Sequence, residues 1–172
     1  MKTALIFPGQ GSQNVGMGLD FYSDFRSSRD IYDLLDEIMG KKLANLIFKG
    51  EESELAMTEN SQPSIMATSV AIIAALKESG IIDEHSFQCV AGHSLGEYSA
   101  LVANKSLNFR DSTELLKIRS KAMQESMPVG TGGMAAIIGG TEEGIATIIR
   151  DISSEGKIFI ANDNAVGQVV IS

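Results

Sequence analysis

The chain has 172 residues, with 14 basic against 22 acidic side chains, a formal charge of −8, 44% apolar residues and 21% charged ones. That balance belongs to a globular chain able to bury its own core, and it excludes collagen, coiled coil, disulfide scaffolds and intrinsic disorder. An acidic surface repels phosphate, so a general nucleic-acid binder is excluded too. The one cysteine, Cys89, permits no intrachain disulfide. The apolar run before Pro8 is too short for a signal peptide, and nothing approaches the ~18 apolar residues of a membrane span. A cytoplasmic protein without membrane contact is expected.

Short apolar runs alternate with helical patterns, which predicts an α/β chain with a parallel sheet. Thr3 to Phe7 reads as a buried strand ending at the turn Pro8-Gly9-Gln10-Gly11. Phe21 to Met39 reads as one helix, with Ile31, Leu34, Leu35 and Ile38 at helical spacing and Gly40 as its stop. Leu43 to Phe48 adds a turn or short helix. Ser64 to Glu78 is a strong helix closed by Gly80, with Pro63 just ahead of it, where a missing N–H is harmless. Phe87 to Ala91 is a short strand, and a helix runs from Leu95 to about Ala103. The next helix extends from about Asp111, as N-cap with Glu114 three residues on, to Met127.

A glycine-rich stretch, Pro128-Val129-Gly130-Thr131-Gly132-Gly133, sets a boundary that divides the chain into 1–128 and 129–172. Beyond it come a strand (Met134 to Ile138), a helix (Thr141 to Ser153), a strand (Lys157 to Ala161) and a strand from Gln168 to Ser172. Finished domains seldom stop inside an apolar strand, so the second unit reads as truncated. Uncovered apolar surface and an open sheet edge at such a cut favour association.

Gly92-His93-Ser94-Leu95-Gly96 is a complete G-x-S-x-G. In its strand–motif–helix setting it forms a tight corner that presents the Ser94 hydroxyl, and its glycines relieve backbone crowding. Leu95 opens the helix, so its N–H faces developing negative charge. The turn after the first strand carries backbone N–H groups at a sheet edge where ligands bind. It is no dinucleotide fingerprint, because Asn14 stands where the third glycine of G-x-G-x-x-G would be. Cys89 is expected to be a buried small apolar side chain, and His85 a surface residue of the Asp83-Glu84-His85-Ser86 loop. Lys105, Arg110, Lys117, Arg119 and Lys121 face two acids in the same window. They form a local basic patch able to steer an acidic partner, or a solvated helix face.

Phe7-Pro8-Gly9-Gln10-Gly11-Ser12-Gln13, Gln62-Pro63, Gly92 through Tyr98 and Ile118-Arg119-Ser120-Lys121-Ala122-Met123-Gln124 together resemble the malonyl-CoA:acyl carrier protein transacylase family. Gly132 through Ile137, Asn162-Asp163-Asn164 and Gly167 through Val170 extend the resemblance along the whole chain. It implies an α/β-hydrolase-like parallel-sheet core (1–128) and the first half of a ferredoxin-like small subdomain (129–172). It implies further that Ser94 is the nucleophile, that the Gln10 and Leu95 backbone N–H groups hold the oxyanion, and that Arg119 clamps the malonyl carboxylate. His93, Gln62 and Asn162 would line the pocket. A guanidinium fork matches a carboxylate in a way a lysine cannot. The substrates implied are malonyl-CoA and acyl carrier protein, in fatty acid biosynthesis, with no metal or redox cofactor.

The residues leave blander readings open. His93 could be a structural hydrogen-bonder, Asn162 and Asn164 turn residues, and Arg119 part of a solvated stripe. The chain also departs from the family pattern. Asp163 replaces the aromatic between the asparagines, and Ala165-Val166 replaces Ser-Pro. The only histidines are His85 and His93, so the family's later histidine, the general base, has no counterpart in this chain. Two further functions fit the motifs: a serine hydrolase or thioesterase, to which Arg119 would be dispensable, and a non-catalytic remnant that binds acyl carrier protein or a partner chain.

Overall fold

The computed structural model describes residues 2–128, 130–152 and 156–172, which form two compact units, Met1–Glu125 and Ser126–Ser172. In the first, β1 (Ala4–Phe7) pairs in parallel with β2 (Cys89–Gly92), in the register Ala4 to Cys89 and Phe7 to Gly92. The parallel pairing expected of these strands is present. The expected burial is not, because the sheet is covered on one face only. Ala4, Ile6, Cys89 and Ala91 alternate outward and are exposed, Ile6 by 71%, while Phe7 is buried. The Cys89 thiol is therefore exposed, contrary to the sequence reading.

Between the strands lie α1 (Leu19–Asp24), α2 (Arg26–Met39), α3 (Leu43–Lys49), α4 (Glu52–Leu55) and α5 (Thr58–Glu78). The single helix expected over Phe21 to Met39 is broken at Phe25, whose backbone is extended. The Arg29 guanidinium holds the break, donating to the Tyr22 and Ser23 carbonyls at 3.0 and 2.7 Å, the groups a helix end leaves unpaired. Gly40, left-handed at φ 67°, stops α2 as expected.

The strong helix after Pro63 begins earlier than its sequence suggests. α5 starts at Thr58 and runs through Pro63, which leaves the Glu59 carbonyl without its usual i+4 donor. The helix survives because it is buried on nearly every side. Ile65, Met66, Ala67 and Ala71 share a core with Tyr32 and Leu35 of α2, Leu43 and Ile47 of α3, and Leu55 of α4. Against that core Tyr22, Tyr32 and Phe48 form an aromatic cluster with centroids 4.9–5.8 Å apart.

α6 (Gly96–Ala103) and α7 (Phe109–Ser126) follow β2. Asp111 is not the N-cap of α7. Asn108 is: its Oδ1 accepts the Asp111 N–H at 2.8 Å, and its Nδ2 donates back to the Asp111 carboxylate at 2.7 Å.

In the second unit β3 (Ala135–Ile138), α8 (Glu142–Ile152), β4 (Ile160–Ala165) and β5 (Gln168–Ile171) form an antiparallel sheet of order β3-β5-β4 with one helix. The expected end of α8 at Ser153 lies outside the described residues. The strand expected over Lys157 to Ala161 is displaced to Ile160–Ala165. Its ladder with β5 carries two irregularities, which absorb the polar Asn162-Asp163-Asn164 run inside a strand, and the hairpin turns at Gly167, φ 78°.

Candidate active site

The corner between β2 and α6 is built by steric necessity. Ser94 has φ 55°, one of two left-handed non-glycine residues described, and Leu95 returns at once to helical geometry. A β-carbon on Gly96 would lie 2.6 and 2.7 Å from the Phe7 and Pro8 carbonyl oxygens, so α6 begins pressed against the end of β1. The fully buried Leu95 side chain fastens the same corner into the helical core. The His93 N–H donates to the Phe7 carbonyl at 3.1 Å, and the His93 ring packs on Gly9. The Pro8–Gly11 turn thus borders the serine corner.

Over the serine sits Arg119, half-buried on α7. Its Nη2 donates to Ser94 Oγ at 2.9 Å and its Nη1 to Gln62 Oε1 at 2.5 Å. Gln62 is 1% exposed; its Nε2 donates to Gln10 Oε1 at 3.4 Å and to Met123 Sδ at 3.3 Å. Gln10 Nε2 in turn donates to Thr58 Oγ1 at 3.2 Å. Arg119 is donor-only, so Gln62 must present its carbonyl oxygen there, and that choice fixes both glutamine amides. Among the described residues no carboxylate pairs with Arg119. A half-buried cation facing only neutral oxygens is suited to receive an anion.

Gln10, Gln62, Ser94, Leu95 and Arg119, singled out from sequence, thus converge on one corner, with His93 beside it. Among the described residues, the backbone N–H groups of Gln10 and Leu95 donate to no protein acceptor. Asn162 belongs to the second unit, where it pairs with Val170 in an exposed strand rather than a turn. Thr58 and Met123 were missed. Thr58 lies one helical turn before Gln62 and Met123 one turn after Arg119, and that i±4 spacing was the available signal.

Arg119 is no part of a solvated stripe, and the basic patch is largely neutralised. Lys105 pairs with Glu84, Arg110 with Glu37 and Lys121 with Glu125, while Lys117 donates to the Ile38 carbonyl. His85 is exposed, as expected, in a loop where its N–H donates to Asp83. None of the described helices is long and apolar enough to cross a membrane, and no cluster of metal-binding side chains occurs among the described residues.

Parallel strand, left-handed serine corner and following helix define an α/β protein with a nucleophile-elbow type of turn. Residues 4–172 match the family described as the acyl transferase domain, and the chain belongs to that family. It is 43% identical to the malonyl CoA-acyl carrier protein transacylase of Bacillus subtilis (strain 168), over 99% of this chain and 53% of the relative. Among solved structures, the acyl-carrier-protein-S-malonyltransferase of Bartonella henselae superposes with a TM-score of 0.90 at 43% identity, covering 99% of this chain and 55% of that one. A malonyl-transacylase solved in complex with its type II PKS acyl-carrier protein gives a TM-score of 0.88 at 38% identity, over 99% and 54%. The α/β class, with a parallel core and a small antiparallel sheet, is therefore shared with these structures. The chain spans about half the length of the relatives it matches.

Proposed function

We propose that this chain carries the acyl-accepting site of a malonyl transfer from coenzyme A to acyl carrier protein, with Ser94 as nucleophile. The observation that carries this reading is the Arg119 guanidinium seated on Ser94 Oγ with no carboxylate partner among the described residues. Hydrolysis of neutral esters has no use for such a cation. A dicarboxylic thioester does, because its free carboxylate is a stronger acceptor than the hydroxyl and amide oxygens that hold Arg119 at rest.

In the proposed reaction the substrate carboxylate takes over both Nη groups and frees the Ser94 hydroxyl. Ser94 Oγ adds to the thioester carbonyl carbon and gives up its proton to a solvent base, which later protonates the departing sulfur, and the carbonyl electron pair moves onto oxygen. The N–H groups of Gln10 and Leu95 stabilise that oxyanion. The C–S bond then breaks, coenzyme A leaves as the thiol, and a malonyl ester remains on Ser94. The phosphopantetheine thiol of acyl carrier protein attacks the ester in turn and restores the hydroxyl. His93 and Gln62 line the acyl pocket in this reading, which also takes 129–172 as the first half of a ferredoxin-like subdomain. Thioester exchange of this kind needs neither metal nor redox cofactor, and the cytoplasm is the proposed compartment.

Neither histidine serves as general base. His85 is exposed in a polar loop and His93 is packed against Gly9. With malonyl-CoA alone, intact mass should therefore show Ser94 acylated far more slowly than a complete serine–base pair allows. Added imidazole should accelerate the reaction, in proportion to its neutral form. Ser94→Ala should abolish acylation, and Arg119→Ala should erase the preference for malonyl-CoA over acetyl-CoA. Fast stoichiometric acylation without imidazole would sink the missing-base argument, and acylation surviving Ser94→Ala would sink the nucleophile.

A further inference from the structure

Thr58 lies in no motif that the sequence singles out. It occupies the first position of α5, and Gln62 stands four residues on, so both side chains project from one helix face. The Gln10 amide spans exactly that pair of positions: Nε2 donates to Thr58 Oγ1 at 3.2 Å and Oε1 accepts from Gln62 Nε2 at 3.4 Å. The donor direction is continuous from Arg119 through Gln62 and Gln10 to the Thr58 hydroxyl, which is its terminal acceptor. Gln10 itself is an exposed residue of a glycine turn, and its side chain is tied to α5 by these two bonds. When a substrate carboxylate draws Arg119 away, Gln62 loses the donor on its Oε1 and keeps its Nε2 bonds to Gln10 and Met123. The bond to Thr58 is then the Gln10 anchor that does not run through Gln62.

We propose that Thr58 is a positioning residue that holds the Gln10 turn in place, so that the Gln10 backbone N–H stays aimed at the developing oxyanion after Arg119 has been recruited. This rests on the reading of Ser94 as the acylated residue. The role separates two stages. Carboxylate binding depends on Arg119, whereas stabilisation of a tetrahedral centre depends on Thr58 acting through Gln10.

Two probes separate the stages on the whole 172-residue chain. Malonate occupies the carboxylate clamp alone. Carboxymethylboronic acid adds the second stage: Ser94 Oγ bonds to boron, its proton goes to solvent, and a tetrahedral boronate anion forms in the oxyanion position. Thr58→Val should weaken boronate binding ~tenfold, the worth of one lost hydrogen bond of this kind, and malonate binding less than ~twofold. Thr58→Ser should restore the boronate affinity. Gln10→Ala should match Thr58→Val, and the double variant should lose nothing further. In nuclear magnetic resonance, Thr58→Val should collapse the separated side-chain amide resonances of Gln10 toward free-chain positions.

Equal boronate affinity in Thr58→Val and the unaltered chain, an equal loss for malonate, failure of Thr58→Ser to restore, or unmoved Gln10 resonances would each overturn the proposal. An unaltered chain that binds the boronate no better than Ser94→Ala would instead sink the reading of Ser94 and with it the catalytic part of the Thr58 role. The Gln10 resonances would then still decide whether Thr58 anchors the turn.

Discussion

A β-carbon on Gly92 would stand 2.0 Å from both the carbonyl carbon and the carbonyl oxygen of Gly96, and 2.4 Å from the Glu97 nitrogen. These obstacles are backbone, so no side chain can swing away, and α6 itself would have to shift. Gly92→Ala is expected to cost about 3 kcal/mol in urea unfolding, the upper range for overpacking. Gly133→Ala, at a position with nothing within 4 Å, is the control and should cost under about 0.5 kcal/mol. Similar losses for the two would mean that crowding does not set the corner.

Ser94 holds a left-handed backbone that an L side chain adopts only under constraint. Removing the hydroxyl leaves that strain, and removing the β-carbon relieves it. Ser94→Gly should accordingly be about 1 kcal/mol more stable than Ser94→Ala, although both lose the hydroxyl. The two midpoints in denaturant settle it, and the reverse order would show that the corner is unstrained.

The Tyr32 phenol, buried between α2 and α5, is pushed up to about 12 by burial, an effect that its hydrogen bond with Thr68 offsets in part. In the unfolded chain it ionises near 10. The stability it supports is thus fully present below pH 10 and is lost as pH rises toward 12, by about 2–3 kcal/mol. Tyr32→Phe should remove that part of the alkaline slope, at a pH-independent cost of about 1 kcal/mol for the lost bond to Thr68. Urea unfolding at pH 8, 10 and 11.5 tests this; parallel curves for the two proteins would rule out the shift.

What the sequence made legible were features dictated by local backbone chemistry or by motif. Gly40 stops α2 because only glycine sits easily at a left-handed cap, and Gly92 through Gly96 folds as a corner for the reason just given. What it hid depends on side-chain contacts between elements. The break at Phe25 is held by a guanidinium from the following helix, and the passage of α5 through Pro63 is sustained by burial on nearly every side. Both are cases of tertiary packing overriding local propensity. Cys89 misled because a strand rich in small and apolar residues looks the same whether one face or both are covered. At the site, residue identity pointed to Ser94, Gln10 and Arg119, whereas the Gln10–Thr58 contact joins a loop to a helix 48 residues on, with the i, i+4 spacing of Thr58 and Gln62 as its one signal.

The parallel pairing of β1 with β2 also bears on how the site is assembled in time. Its flanking bond, from the Thr3 N–H to the Gln88 side chain, joins groups 85 residues apart, whereas α1 to α5, which supply most of the core around Tyr32 and Met66, follow one another directly along the chain. Closing so long a loop delays such a contact relative to local helix pairing. The helical layer is therefore expected to fold first and the strand pair last, which would impose the constrained geometry of Ser94 only at the final step. Pulse-labelled amide exchange during refolding should protect Ala71 before Val90. A partly folded chain would then have its core but not the left-handed corner that sets the Ser94 hydroxyl under Arg119, and that arrangement would arrive only with the last contact to form.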